Sequence, residues 1–373
     1  MGSVEIRLPG RAEPTLLASP GWATSYPPPR SRSVYAAAHV AAFADGSVDW
    51  DSTLAFREHL WAHGFGVAEA MDTAQRGAGL SFTQATELIG RSAARAAELG
   101  TVIASGAGTD QLPEGEHPLG AIVTAYAEQI ELVQATGSEV IVMASRALAA
   151  SARSPHDYLD VYGELLKLAD RPVLLHWLGA AFDPALGAYW GNEAFDLAAG
   201  TVIELIDRAD GKVSGVKLSV LDAGSELALR RRLPAGVRLY TGDDFHYAEL
   251  IRGDAEGHSD ALLGAFAAIT APAAAALRAL DGGDLAGYDA AMGPTVELSR
   301  LIFEVPTFDY KVGVAFLAWL NGLQPCFAML GALQGRRSSE HLIRVFELAA
   351  FCGALLRPEL AVERLGEYLA GLS

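Results

Sequence analysis

The chain has 373 residues, of which 51% are hydrophobic, and its 45 acidic residues outnumber 28 basic residues to give a formal net charge of −17. This negative charge argues against nucleic acid and anionic membranes as partners, because the chain has no basic surface to bind their phosphates. The hydrophobic content excludes intrinsic disorder as the overall class. Only four of the basic residues are lysines, namely Lys167, Lys212, Lys217 and Lys311.

The cysteines and the first residues of the chain indicate its compartment. Cys326 and Cys352 form neither a CxxC pair nor a disulfide framework, which is typical of a reducing environment. The N-terminal segment is charged, interrupted by proline and without the apolar core of a signal peptide. The most apolar stretch, residues 312–333, is broken by Gly, Asn and Pro and makes a poor membrane span. We therefore expect a cytoplasmic protein.

The predicted elements begin after a proline-rich start, so we expect an irregular arm over residues 1–32. Beyond it, short apolar runs alternate with longer segments rich in Ala, Leu and Glu. The predicted strands are Val34–Phe43, Gly66–Ala70, Thr101–Ala104, Glu139–Met143, Pro172–His176, Val213–Leu218, Val237–Thr241 and Ala261–Ala267. The predicted helices include Phe82–Leu99, Leu119–Thr136, Pro155–Leu168 and Glu193–Arg208.

This alternation predicts parallel strands joined by helical crossovers. The strands are almost continuously apolar, as expected when both faces of a sheet are covered. Eight such units favour a (β/α)8 TIM barrel over residues 33–271, and the helical pattern of residues 272–373 predicts a C-terminal extension packed on it. The alternative is a doubly wound open sheet, but no GxGxxG follows the first strand.

The chemistry of such a barrel is expected at the carboxyl ends of its strands. Lys217 stands near the end of the apolar run VSGVKLS. A buried lysine is rare, and a desolvated amine has a lowered pKa that makes it a nucleophile toward a carbonyl group. The motif alone fits a solvent-facing lysine, or one half of a buried ion pair, equally well.

His176 ends the strand PVLLHW, where a histidine can move a proton or simply be hydrogen-bonded at the rim. Further polar residues follow other strands, namely Glu69, Asp72, Thr73, Arg76, Ser105, Ser219, Asp243, Asp244 and His246. Asp243 and Asp244 could instead form a turn that caps the next helix, and Asp72 could pair with Arg76. The seven other histidines are interpreted as structural, namely His39, His59, His63, His117, His156, His258 and His341.

In their order along residues 33–323, these motifs resemble the dihydrodipicolinate synthase and N-acetylneuraminate lyase family of (β/α)8 barrels. PVLLHW resembles the strand that ends in the family's catalytic tyrosine, and VSGVKLS the strand with the Schiff-base lysine. LYTGDDFHY resembles the family's GDD segment, and DYKVGVAFLAWLNGL its late helix. The resemblance implies that Lys217 condenses with a ketone, that Lys311 is structural, and that the protein is a homo-oligomer, a dimer or a tetramer.

The sequence departs from the family at two places. His176 occupies the position of the catalytic tyrosine. Residues 72–76 read Asp-Thr-Ala-Gln-Arg where the family has a Gly-Thr-Thr-Gly-Glu loop that binds a 2-oxo acid carboxylate, and only Thr73 matches. Since Asp72 would repel a substrate carboxylate, we expect a neutral keto sugar or polyol derivative.

The leading hypothesis is a class I aldolase or lyase that needs no cofactor. Lys217 would form the imine and His176 would move the proton, so these two are the expected catalytic residues. The expected substrate contacts are Asp72, Thr73, Arg76, Ser105, Ser219, Asp243 and Asp244.

Two other hypotheses stay open. The first is a sugar isomerase or aldolase dependent on Mg²⁺, Mn²⁺ or Zn²⁺, in which Lys217 stabilises an enolate. Its expected ligands are Glu69, Asp72, His176, Asp244 and His246. The second is a barrel that binds a small molecule and has lost its chemistry.

Overall fold

Eight parallel strands close into a barrel in the computed structural model, which describes residues 3–6, 14–18, 21–71, 75–76 and 78–371. Each strand pairs with the next along the chain, and the last pairs with the first. The barrel strands are β3 (Val34–Ala36), β4 (Gly66–Glu69), β5 (Ile103–Ala107), β6 (Glu139–Val142), β7 (Val173–Leu178), β8 (Val213–Ser219), β9 (Arg238–Thr241) and β10 (Asp260–Leu263). The predicted (β/α)8 barrel is therefore confirmed.

Helices follow the strands along the chain, and a helical region follows the last strand. The helices up to β10 are α1 (Trp50–Ala62), α2 (Phe82–Leu99), α3 (Leu119–Ala135), α4 (Arg146–Ser151), α5 (Pro155–Leu168), α6 (Phe195–Arg208), α7 (Ala223–Arg230) and α8 (Tyr247–Arg252). The later helices are α9 (Thr270–Asp281), α10 (Leu285–Met292), α11 (Thr295–Ile302), α12 (Lys311–Leu320), α13 (Ser339–Phe351) and α14 (Pro358–Ala370). The predicted C-terminal helical extension is confirmed.

Local sequence signals explain why the best-predicted helices begin and end where they do. The Ser81 hydroxyl accepts a hydrogen bond from the Gln84 backbone N–H, and the Gln84 side chain accepts one from the Ser81 backbone N–H. This reciprocal capping starts α2, and Gly100 ends it in the left-handed conformation with φ 64°. In α5, Pro155 occupies the first turn, where its missing N–H has no cost.

The barrel interior is an apolar cluster that combines small and large side chains. Its members are Tyr35, Ala37, Ala68, Met71, Ala104, Ile141, Met143, Leu174, Tyr240 and Leu262. Glycines on neighbouring strands leave room for the two tyrosines, because a Cβ would lie 2.7 Å from Tyr35 at Gly66 and 2.8 Å from Tyr240 at Gly215. The interior is thus filled by side chains, as in other barrels of this size.

The structure differs from the sequence predictions at several boundaries. The arm predicted to be irregular contains two antiparallel strands, β1 (Ser3–Ile6) and β2 (Thr15–Ala18). The first barrel strand covers only the start of Val34–Phe43, and the last run, Ala261–Ala267, ends as a short 3₁₀ helix after Leu263. An apolar run indicates burial, and it does not show where strand pairing ends.

The chain divides into two compact units, and neither is one continuous stretch of sequence. One consists of Arg32–Ala37 and Gly66–Leu263 and contains the whole barrel, while the other consists of Met1–Ser31, Ala38–Phe65 and Gly264–Ser373. The division at residues 33 and 272 into separate domains stays a prediction, as do the homo-oligomer and the cytoplasmic location. None of the described helices is long and apolar enough to span a membrane.

Candidate active site

Lys217 and His176 lie side by side at the centre of the candidate site. β7 and β8 pair in parallel with these two residues opposite each other. Both side chains are buried, with exposed fractions of 7% for Lys217 and 3% for His176. Burial, and next the positive charge of Lys217, hold the pKa of His176 well below its ordinary value. The imidazole is therefore uncharged at neutral pH.

Two buried polar atoms on the barrel strands have no hydrogen-bond partner within the described residues. His176 Nε2 lies 3.4 Å from Ser219 Oγ, but its Nδ1 is buried without a partner. Ser105 Oγ, on β5, is also buried and unpartnered. Buried polar atoms are nearly always paired, so these exceptions mark places where a bound molecule could supply the missing hydrogen bonds.

Gly242 follows β9 and makes room for the lysine, a role that the sequence analysis did not anticipate. A Cβ at this position would lie 2.1 Å from Ser219 Oγ, 2.8 Å from Lys217 Cε and 2.8 Å from the backbone oxygen of Leu218. Since a backbone oxygen cannot move aside, only glycine fits here. The Gly-Asp-Asp motif was the available signal, and it drew attention to the aspartates alone.

Asp243 is occupied within its own turn. Its Oδ1 accepts hydrogen bonds from the backbone N–H groups of Phe245 (2.8 Å) and His246 (3.1 Å). Its Oδ2 lies 2.8 Å from His246 Nδ1. Asp243 is thus the turn-forming residue of the alternative interpretation, and its contact with substrate stays a prediction. Asp244 is buried beside it.

Glu226 is a buried acid behind this turn that the sequence analysis missed. Its carboxyl group accepts hydrogen bonds from Thr241 Oγ1 (2.9 Å) and Ser259 Oγ (2.7 Å). Burial raises the pKa of Glu226 to about 8. Nothing in the sequence marked it, because Glu226 lies on the short helix α7 and not at a strand end.

Arg76 has a structural role that ties two loops together. Its guanidinium pairs with Asp110, at 3.0 Å from Nε and 2.9 Å from Nη2, and donates to the carbonyl oxygens of Ala70 and Gly106 at 2.8 Å. The pairing of Arg76 with Asp72 and the substrate contacts of Asp72 and Thr73 stay predictions, because residues 72–74 lie outside the described residues.

A cavity of about 550 Å³ opens beyond Arg76, at the carboxyl ends of β5, β6 and β7. Its polar and charged lining residues include Arg76, Thr109, Asp110, Glu114, Ser145, Arg146 and Asp183. Arg76 pairs with Asp110 and Arg146 pairs with Asp183, so most of the lining charge is neutralised. The Thr109 and Ser145 hydroxyls hydrogen-bond each other at 2.6 Å.

The described members of the alternative metal set do not form a metal centre. Within the described residues, no group of three or more His, Cys, Asp or Glu side chains is placed to hold an ion. His246 directs its Nδ1 to Asp243, and Glu69 Oε1 accepts a hydrogen bond from the Ala70 backbone N–H at 3.0 Å. Glu69, His176, Asp244 and His246 therefore form no such group by themselves. Asp72 lies outside the described residues, so the complete metal set stays a prediction.

The other compact unit contains Lys311 and, apart from it, two histidines that are neighbours of each other. Lys311 is buried, with its ammonium 5.0 Å from the ring centre of Tyr310. His59 and His63 lie one helical turn apart with ring centres separated by 4.4 Å, and burial lowers the pKa of both. Two metal ligands on one helix can have this four-residue spacing, which is visible in the sequence. The purely structural role expected for His59 and His63 therefore stays a prediction.

Comparison with solved structures defines the class of fold. A putative dihydrodipicolinate synthetase from Pseudomonas aeruginosa has a TM-score of 0.65 and 16% identity, over 87% of this chain and 99% of that one. The dihydrodipicolinate synthase from Aquifex aeolicus has a TM-score of 0.66 and 14% identity, over 87% and 99%. An Escherichia coli K12 prophage protein of the same family, solved with pyruvate, has a TM-score of 0.67 and 14% identity, over 86% and 99%.

The protein therefore has the (β/α)8 fold of the dihydrodipicolinate synthases, as the motifs indicated. At the level of sequence, the chain belongs to the family described as "Protein of unknown function (DUF993)", whose profile matches residues 9–372. A search of curated proteins found no match.

Proposed function

We propose that this protein is a class I aldolase or lyase in which Lys217 forms a Schiff base with a small ketone. The observation that carries the proposal is the burial of Lys217 at the carboxyl end of β8, between His176 on β7 and Gly242 after β9. A lysine in such surroundings is rare unless its amine has a function. The similarity of fold to dihydrodipicolinate synthases supports the same conclusion.

The reaction follows from ordinary amine chemistry. Lys217 Nζ bonds to the ketone carbon, and the carbonyl oxygen leaves as water to give an iminium ion. When a C–C bond to the neighbouring carbon breaks, its electron pair is taken up by the iminium and an enamine results. In a C–O cleavage, loss of a proton from the neighbouring carbon first gives the enamine, whose electrons then expel the oxygen group together with its bonding pair. His176 is uncharged and lies near the Ser219 hydroxyl, so the two can pass a proton to the leaving oxygen.

The cavity beyond Arg76 supports a substrate larger and less charged than pyruvate. Met143 lines this cavity and belongs to the same apolar cluster as Met71, whose sulfur lies 3.7 Å from Lys217 Nζ. Since the two arginines in the lining are paired with aspartates, they offer little net charge to a carboxylate. The hydroxyls of Thr109 and Ser145 fit a polyhydroxylated chain, as in a keto sugar.

Borohydride trapping tests the proposal. The purified protein is incubated with hydroxyacetone, dihydroxyacetone, fructose or pyruvate, reduced with borohydride and analysed by peptide mass spectrometry. We expect a stable mass addition on the peptide that contains Lys217. Lys167→Ala, which removes an exposed lysine, is the matched control and should trap as wild type does. A Lys217→Ala variant that still turns over substrate would contradict the proposal.

A further inference from the structure

We propose that His59 and His63 bind one divalent transition-metal ion of the kind that imidazole nitrogens prefer, namely Cu²⁺, Ni²⁺ or Zn²⁺. The two histidines lie in the compact unit that also contains the C-terminal helices, and the candidate active site does not use them. They share no residue with the alternative metal set, and the proposal does not depend on the Schiff base at Lys217.

The fold brings the two imidazole rings together at the end of α1. His59 lies in the last turn of this helix, and His63 is the residue directly after it. Residues four positions apart on a helix are neighbours on its surface, and the two ring centres lie 4.4 Å apart. Two imidazoles that bind one ion through bonds of about 2.1 Å have ring centres about 4.5–5 Å apart. The rings are therefore close enough to share an ion after a small adjustment of their side chains.

A backbone contact holds His63 in the form that a metal ion needs. Its Nδ1 lies 2.7 Å from the backbone oxygen of His59. Because a carbonyl oxygen can only accept a hydrogen bond, Nδ1 carries the proton and Nε2 keeps its lone pair. Metal-binding histidines almost always donate their other ring N–H in this way, which orients the ring and increases the basicity of the ligand nitrogen.

Both imidazoles are in the uncharged state that binds metal ions. Burial is the largest cause that lowers the pKa of each ring, and the pKa of His59 falls to about 4. His63 lowers the pKa of His59 further, because two positive charges so close together would repel each other. At neutral pH a metal ion therefore has few protons to displace from this pair.

A cavity of about 220 Å³ lies against both rings and gives an ion access to them. It is also lined by Trp22 and Thr24, and by Ala271 and Leu356. A water molecule takes up about 30 Å³, so this volume has room for an ion with several bound waters. Within the part of the chain that the structure describes, no third His, Cys, Asp or Glu completes a group with the pair. Water, or an oxygen of a small molecule in the cavity, would take the remaining coordination positions.

Hydrogen bonds hold the walls of this cavity in place. The Tyr26 backbone N–H donates to the Ala62 oxygen at the end of α1, and Trp22 Nε1 donates to the Gly353 oxygen after α13, both at 2.9 Å. Residues 21–26 are thus attached at two points beside the histidines. Because an ion in the cavity binds the folded chain, it should stabilise that state.

The pair of nitrogen ligands selects the class of ion. Mg²⁺ and Ca²⁺ prefer oxygen ligands, and two imidazoles supply none. Among the divalent transition metals, affinity for such a site rises from Mn²⁺ to Cu²⁺ and is lower again for Zn²⁺. We therefore expect Cu²⁺ to bind more tightly than Ni²⁺ or Zn²⁺, and Mg²⁺ not to bind to the pair.

Calorimetric titration tests the proposal. The purified full chain is treated with a chelator, dialysed and titrated separately with CuCl₂, NiCl₂, ZnCl₂ and MgCl₂. We expect one tightly bound Cu²⁺ ion per chain, whose electron paramagnetic resonance spectrum shows splitting by imidazole nitrogen. His59→Gln and His63→Gln should each weaken binding about 10-fold or more, since loss of a group that only orients a ligand already costs about 10–100-fold. His156→Gln, at an exposed histidine, is the matched control and should bind as wild type does.

His59→Phe keeps the test valid if a glutamine variant folds poorly. Phenylalanine preserves an aromatic ring next to His63 and Phe56 but has no nitrogen to bind an ion. Added Ni²⁺ should raise the melting temperature of wild type and leave that of His59→Phe unchanged, whatever the two values are without metal.

The outcomes separate this site from the active site. Equal affinities of wild type and His59→Phe for the three transition metals would overturn the proposal, because the ions would then bind elsewhere. Absence of binding by wild type would overturn it as well. Neither result bears on the Schiff base, which borohydride trapping at Lys217 tests separately.

Discussion

The two ends of the barrel are built on opposite principles. At the amino ends of the strands, Tyr35 OH donates to Glu139 Oε2 at 2.6 Å, and Asp260 accepts from the Ser33 backbone N–H and from Arg238, both at 2.7 Å. At the other end, Lys217, His176 and Ser105 are buried, and two of their polar atoms have no partner among the described residues. The polar groups of one end satisfy each other, while those of the other end belong to the ligand site that we propose.

The largest expected effect comes from removing the charge at the carboxyl end. Lys217→Met should abolish turnover, because it removes the amine that forms the proposed imine. It should also raise the pKa of His176, since the lysine charge is one of the two causes that lower it, although burial will keep the value below normal. An NMR titration of the His176 ring measures this. An unchanged His176 pKa would show that the two side chains do not interact.

Gly242→Ala should be clearly destabilising although it adds a single carbon. The new Cβ overlaps a hydroxyl and a backbone oxygen, and overpacking of this kind costs about 1–3 kcal/mol. The free energy of unfolding from urea titration measures it. Gly90→Ala is the control, because nothing lies within 4 Å of that Cβ on α2, and it should stabilise by about 0.5–1 kcal/mol. Equal changes in the free energy of unfolding for the two variants would contradict the crowding at Gly242.

Glu226 should give the protein a pH dependence opposite to that of an ordinary surface acid. Its pKa is about 8 when folded against 4.5 for the free side chain, so the folded state binds the extra proton between these values. Its contribution to stability is therefore complete below about pH 4.5 and is lost as the pH rises toward 8. Urea titrations from pH 5 to 8 should show this slope in wild type. In Glu226→Gln, which keeps one acceptor oxygen, the slope should be weaker.

The smallest effect is expected at the amino end. Tyr35→Phe removes one hydrogen bond to Glu139, which is exposed and can turn to water, so the cost should be about 1 kcal/mol in the free energy of unfolding. Turnover should stay at the wild-type value. A loss of activity without loss of stability would show that the two ends of the barrel are coupled.

The sequence allowed accurate prediction wherever the signal is local. The bounds of α2 and α5 agree with the structure because capping residues and an ordinary helical period mark both helices. Lys217 and His176 could be placed at the carboxyl end of the barrel because each stands near the end of an apolar run. The predicted strand Val34–Phe43 was too long, because apolar character continues beyond the residue where strand pairing stops.

The missed parts of the site depend on residues far apart in sequence. Arg76 pairs with Asp110, which is 34 positions away, and no motif around either residue predicts this pairing. Gly242 is required because of the space beside Lys217 and Leu218, which exists only once β8 and β9 are paired. The pKa of Glu226 is raised only because the fold buries its carboxyl group, and the Thr241 and Ser259 hydroxyls that donate to it lie far away in sequence. Such residues are defined by the fold and not by their own neighbours in the chain.

The short strand β3 has a consequence for the local opening of the barrel. It pairs with β4 at two positions, Tyr35 with Gly66 and Ala36 with Val67, whereas β7 and β8 are paired from Val173 to Leu178. The seams β6–β7 and β9–β10 also have two paired positions each. We expect amide protons along these three short seams to exchange through smaller local openings than those between β7 and β8, which flank Lys217.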